Sequence, residues 1–253
     1  MASIPLLCLV GYTLVSAIVG VRLIARSVES RGVPELLAGL SYIAAPALGY
    51  PMCIVAPMIS NRTLSVPVYV TGEVFLVSGC CCFLFFTVKV FRPGMQWAYF
   101  CAAVGSAVLV WSGIGITRAF LSSTVPAEVA ELAKTPLAAM VLVLMLSYVW
   151  TALEGMRYYR MMRKRMALGL ADAVVTNRFL LWGFSGLTSL AWISVSAFFL
   201  AIGANIGTDP IPVTVTSAGG IVNTVFLVLI FMPPSAYTRW VERSARAGAL
   251  ATV

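Results

Sequence analysis

Seven apolar runs, each long enough to cross a bilayer, take up almost all of this 253-residue chain. A transmembrane helix needs about 20 predominantly apolar residues. The runs are read as 4–25, 35–58, 67–90, 97–121, 136–158, 175–203 and 214–238. In lipid the backbone polar groups must be satisfied within the segment, which a helix does and an isolated strand does not. The expected fold is therefore all-α: one seven-transmembrane-helix bundle covering 1–253, with no chain left over for a soluble domain. Only 10% of the residues are charged, against about 25% in an ordinary soluble domain. The first run is expected to stay in the mature protein, because its apolar stretch is long and no basic residue precedes it.

Basic residues set the expected orientation. With the amino terminus outside, 14 of the 17 Lys and Arg fall on the cytoplasmic side, and only Arg62, Arg118 and Lys134 remain outside. The positive-inside rule then predicts amino terminus out and carboxyl terminus in. A multi-pass protein of the bacterial inner membrane is the expected localisation. The net charge of +8 is divided among short connections, a pattern unsuited to nucleic acid. The densest group is Arg157, Arg160, Arg163, Lys164 and Arg165. It reads as a topology signal that also attracts anionic lipid headgroups, or as a docking site for a cytoplasmic or membrane partner.

Histidine is absent, which removes imidazole metal ligands and His bases. The six cysteines all fall within apolar runs, so a secreted disulfide framework is not expected. Cys80, Cys81 and Cys82 are consecutive and fan around a helix, unable to meet on one ion; they read as packing residues. No metal site, catalytic residue or cofactor is expected, and an intramembrane enzyme is disfavoured, since no nucleophile–base pair is legible.

Polar residues inside the apolar runs carry what functional information there is. Glu73 lies about two turns below the outer end of the third run, one turn after Tyr69. Intramembrane acids are costly and mark functional sites by default. Arg118, at similar depth in the fourth run, is a candidate partner, so Glu73 reads either as half of a stabilising ion pair or as a ligand or proton site. In the sixth run Trp182, Ser185, Ser189, Trp192 and Ser196 recur at spacings of three and four, which puts them on one helix face. Small hydroxyl residues at this spacing mark a helix–helix contact; the two tryptophans equally suit an aromatic ligand cavity. Thr216, Gly220, Asn223 and Thr224 form a related stripe in the seventh run, where Asn223 must find an interior partner. The second run holds Pro46, Pro51 and Pro57, with Gly49 and Tyr50 between the first two. Each proline removes a backbone donor, so a kinked or locally opened helix is expected there. The outer connection 122–135, with its Ala and Glu content, reads as a short surface helix. Asn61-Arg62-Thr63 matches the glycosylation pattern.

The topology is shared with microbial rhodopsins, G-protein-coupled receptors and sugar transporters of the SWEET type, but the residues differ. Gly219–Phe231 contains no lysine, which makes covalent retinal unlike this chain. Pro233 to Tyr237 keeps only the Pro-x-x-Tyr part of the receptor ending, and no Pro-Gln pair occurs. Pro34-Glu35-Leu36-Leu37, Gly49-Tyr50-Pro51 and the ending Pro233-Pro234-Ser235-Ala236-Tyr237-Thr238-Arg239-Trp240 resemble a family of uncharacterised bacterial seven-helix proteins. That resemblance implies the seven-helix fold and carries no activity with it.

The expected function is a sensor or binding protein for a small lipophilic ligand, signalling through a partner or as a homo-oligomer. Its ligand or proton contacts would come from Glu73, Tyr69, Arg118, Tyr50, Trp182, Ser189, Trp192 and Asn223. The alternative is a small-solute or proton-coupled transporter in which Glu73 titrates and the prolines of the second run hinge.

Overall fold

The computed structural model describes residues 3–202 and 210–250. Its helices are α1 (Ser3–Ser30), α2 (Val33–Tyr42), α3 (Tyr50–Val55), α4 (Arg62–Phe91), α5 (Gln96–Ser122), α6 (Pro126–Ala167), α7 (Ala173–Ala201), α8 (Pro210–Phe231) and α9 (Ser235–Leu250). No strand occurs among the described residues. Six spans are long and apolar enough to cross a membrane, and a seventh is reached if α8 and α9 count as one bent span. No more than 39% of the most apolar stretch of any of the six is buried. Side chains such as Leu14, Ile18, Phe100 and Leu146 stand exposed on the outer faces. Water would penalise so much exposed apolar surface, whereas lipid accepts it. The chain thus has the build of an integral multi-pass membrane protein.

The second span is continuous from Val33 to Met58 but not uniform. Between α2 and α3 it widens into a π-helical stretch, Ile43–Gly49, with Pro46 inside, and it ends in a 3₁₀ turn, Ala56–Met58, that includes Pro57. Proline offers no N–H to the ladder and its ring crowds the preceding turn; the wider winding accommodates both. The expected local opening is found at Pro46. At the start of the span, Pro34 occupies the first turn with Glu35 beside it, where an acid suits the positive end of the helix dipole.

Two corrections concern the later spans. The connection 122–135 holds no separate surface helix: α6 runs unbroken from Pro126 through Pro136 to Ala167. The basic residues 157–165 are accordingly helical, not part of a loop. Gly169, with φ 70°, ends that helix, and the N–H of Leu170 returns to the Arg165 carbonyl at 2.9 Å. This left-handed glycine after a helix is the usual stop. The expected seventh span, 214–238, is interrupted. Pro233 and Pro234 cannot continue the ladder, so α8 ends at Phe231 and α9 turns away at 73°. The connection 203–209, which includes the end of the expected sixth span, lies outside the described residues.

The chain divides into two compact units, Met1–Leu146 and Ser147–Val253. In the first, the second span packs between α1 and α4, and α5 packs on α4. Small residues permit the approach: a Cβ on Gly72 or Gly79 of α4 would stand 2.8 Å from Met52 Cβ or 2.6 Å from Ala45 Cβ. Such contacts are the usual adhesive of membrane helices, for which apolar burial brings little gain over lipid. A tight turn through Gly94, with φ 79°, joins α4 to α5. In the second unit the carboxyl half of α6 lies against α7, with Gly155 facing Gly183 and the Tyr158 and Phe179 rings 5.4 Å apart. α7 packs on α8, and α9 is tied to α7 by Asn177 Nδ2 donating to Tyr237 Oη at 2.7 Å.

Candidate functional site

α4 begins at Asn61, whose side chain accepts from the Thr63 N–H at 3.0 Å and so caps the helix. That start fixes the rotation of everything after it. Arg62, Tyr69 and Glu73 follow at spacings of seven and four, which places them on one face. The face meets α5. The Arg62 guanidinium lies over the Phe120 ring, 4.4 Å from its centroid, and donates to the Phe120 and Ser123 carbonyls. These carbonyls end α5, where a cation suits the negative end of the dipole. Tyr69 stacks on the same Phe120 ring, with centroids 3.9 Å apart and planes 11° apart.

One turn deeper, Glu73 is 5% exposed. Cys53 of α3 donates its S–H to Glu73 Oε2 at 3.6 Å. The second oxygen, Oε1, is buried and has no hydrogen-bond partner among the described residues. On the α5 side it faces Gly113: a Cβ there would stand 3.3 Å from Oε1 and 2.7 Å from Val77 Cγ2. Gly72, next to Glu73, lets α3 come close enough to bring the thiol within reach. The carboxyl is thus enclosed between α3 and α5 with a weak donor on one oxygen and nothing on the other. An uncompensated carboxylate in apolar surroundings is strongly disfavoured, and the neutral acid far less so. The arrangement can hold a proton.

The other anticipated residues are placed differently. Arg118 is exposed on α5, and Glu73 forms no ion pair among the described residues. The expected Glu73–Arg118 pair is absent, because the α5 face toward Glu73 is the one carrying Gly113 and Phe120. Tyr50 sits half-buried at the start of α3, directly after the π-helical stretch. The stripes of α7 and α8 meet each other. Ser185 Oγ donates to Asn223 Oδ1 at 3.2 Å. Trp182 packs edge-on to Phe231 with centroids 5.6 Å apart. Trp192 fills the space beside Gly219, and Ser189 is buried. Packing uses most of this seam, yet Trp192 Nε1 is buried without a hydrogen-bond partner among the described residues. Thr216 lies in α8 with its side chain outside the description. Arg157, Arg160, Arg163, Lys164 and Arg165 are all exposed on α6.

Two participants escaped the sequence reading. Cys53 is 20 positions from Glu73, and only the packing of α3 on α4 joins them. Arg62 looked like a loop cation; the Asn61 cap, read as a glycosylation pattern, was the signal that a helix starts there. No group of three or more potential metal ligands occurs among the described residues. Comparison with protein-family models, curated proteins and solved structures found no match for this chain.

Proposed function

We propose that this chain is a proton-coupled carrier of a small solute, with Glu73 as its proton site and the second span as its moving element. The topology proposed is seven crossings of a bacterial inner membrane, amino terminus outside and carboxyl terminus cytoplasmic, as the distribution of Lys and Arg favours. α8 is then the last crossing and α9 lies along the inner surface, consistent with its 73° turn, its half-buried Tyr237 and buried Val241, and its exposed Arg239, Glu242 and Arg243.

The observation that carries the reading is Glu73 Oε1, buried in a membrane span without a partner. An acid kept for architecture would gain by having both oxygens bonded. The neighbouring break adds support: the π-helical stretch at Ile43–Gly49 directly precedes the α3 segment that bears Cys53. π-bulges and proline breaks are frequent where helices bend or bind. Gain and loss of a proton at Glu73 would change its hydrogen bonding to α3 and bias that break.

Proteoliposomes loaded with a pH-reporting dye test this against a panel of small solutes. At least one solute should collapse an imposed pH gradient with the wild type and none with Glu73→Gln, the variant keeping its helicity. A Gln variant that moves protons like the wild type would reduce Glu73 to architecture.

One observation favours a second reading, a sensor for a lipophilic ligand. Trp192 Nε1, buried and unpartnered between α7 and α8, would donate to an oxygen of such a molecule. Native mass spectrometry of gently purified protein decides: a stoichiometric lipid or isoprenoid that is lost in Trp192→Phe supports this reading, and its persistence opposes it.

A further inference from the structure

The exposed stretch of α6 that bears the basic cluster is grooved. Between α6 and α7 runs an open cleft of about 570 Å³, within the range of sites that hold small ligands. Its lining sorts by position. Ala152, Leu153 and Met156 of α6 and Leu187 of α7 make one end apolar, and Arg157, Arg160 and Lys164, with Met161 among them, make the other basic. No acid lines it; Glu154, on the same helix, is turned inward and buried.

The spacing makes the three cations act together. Arg157, Arg160 and Lys164 stand at intervals of three and four, so consecutive members are about 5–6 Å apart at Cβ. Arg157 and Lys164 are two turns apart, about 10 Å, a gap that two long side chains are able to span. Arg163 and Arg165 share the helix but not the groove. From Leu153 to Lys164 the groove follows about 16 Å of helix axis, apolar toward the membrane-spanning part and cationic toward the end of α6. That gradient is the inverse image of one lipid molecule, anionic at the head and apolar along the tail.

We propose that this groove binds a single anionic phospholipid, with its phosphate on Arg157, Arg160 and Lys164 and an acyl chain along Leu153, Met156 and Leu187. The complementarity is specific: a zwitterionic headgroup brings a cation among three others, whereas a phosphate with no neighbouring ammonium meets only donors. Surface cations attract the anionic leaflet in general; the groove adds a seat that holds one chain in register.

Native mass spectrometry of the full chain, titrated with phosphatidylglycerol and with phosphatidylcholine of the same acyl chains, tests the assignment. One phosphatidylglycerol per chain should be retained in preference to phosphatidylcholine. The triple variant Arg157→Ala, Arg160→Ala, Lys164→Ala should weaken that retention about fivefold per cation, on the order of a hundredfold in all. A second triple variant, Arg26→Ala, Arg239→Ala, Arg243→Ala, removes the same charge from other exposed positions and should retain the lipid. Leu187→Trp, which fills the apolar end without touching a charge, should also weaken retention. Millimolar inorganic phosphate should not displace the lipid. Equal binding of the two lipids, equal loss in both triple variants, or displacement by free phosphate would each overturn the site, the last by showing an anion site with no use for the chain.

Discussion

Cys53 Sγ stands 3.6 Å from Glu73 Oε2, joining α3 to α4 through the only hydrogen bond the carboxyl makes among the described residues. A thiol is a weak donor, so the bond orients the carboxyl more than it stabilises the fold. Cys53→Ala should cost about 1 kcal/mol in unfolding free energy, and Cys53→Ser, which keeps a donor, should recover most of it. Thermal unfolding in detergent measures both. In the transport assay Cys53→Ala should slow proton coupling without abolishing it, because Glu73 and not the thiol carries the proton.

Gly113 leaves room for the carboxyl on the α5 side. Gly113→Val would drive its side chain into Val77 and Glu73, an overpacking that costs about 1–3 kcal/mol. Proton coupling should fall at the same time. The paired change Gly113→Val with Val77→Ala frees space and should restore stability. Thermal unfolding and the dye assay report the two effects separately.

Pro46 keeps the second span from closing into a regular α-helix. Pro46→Ala supplies the missing donor, so the stretch Ile43–Gly49 should lose its π-helical winding. Stability should be unchanged or slightly higher, and amide hydrogen exchange across that stretch should slow. If the break is the moving element, transport slows too. Faster exchange in the variant would show that proline stiffens the span rather than opening it.

Arg62 clamps the start of α4 to the end of α5 through two carbonyls and the Phe120 ring. Arg62→Ala should destabilise by about 2–3 kcal/mol, the sum of one charge-assisted bond and a partly desolvated cation–π contact. Arg62→Lys should recover little, since an ammonium lacks the planar guanidinium that lies on the ring while one of its nitrogens reaches both carbonyls. Full recovery by Lys in a thermal unfolding series would mean that the charge alone matters.

How much of this was legible in the sequence follows from the physics of each signal. The apolar runs name the membrane helices because lipid demands length and hydrophobicity over many residues. Glu73 stands out for the same reason, as a costly exception in such a run. Pro46 announced the break, since a missing N–H is a property of one residue. Partners were not legible: Arg118 and Arg62 look alike as outer cations, and only the cap at Asn61 and the rotation of α4 and α5 decide which one turns inward. The unbroken α6 was missed because the Ala- and Glu-rich segment before Pro136 reads as a separate surface helix, whereas the Pro136 ring rests against Gly115 inside one longer helix. The double proline at Pro233 and Pro234 was read as part of the last span, although two missing donors in sequence end a helix more firmly than one.

The most direct measurement is the pH-dependent reaction of the membrane-embedded protein with dicyclohexylcarbodiimide, a lipophilic reagent that attacks protonated carboxyls, followed by peptide mass spectrometry. A proton-carrying Glu73 predicts one dominant adduct on that residue at neutral pH, lost as the pH rises and absent in Glu73→Gln. An unmodified Glu73 across the whole pH range, with the reagent shown to label a control carboxyl in the same bilayer, would contradict the account.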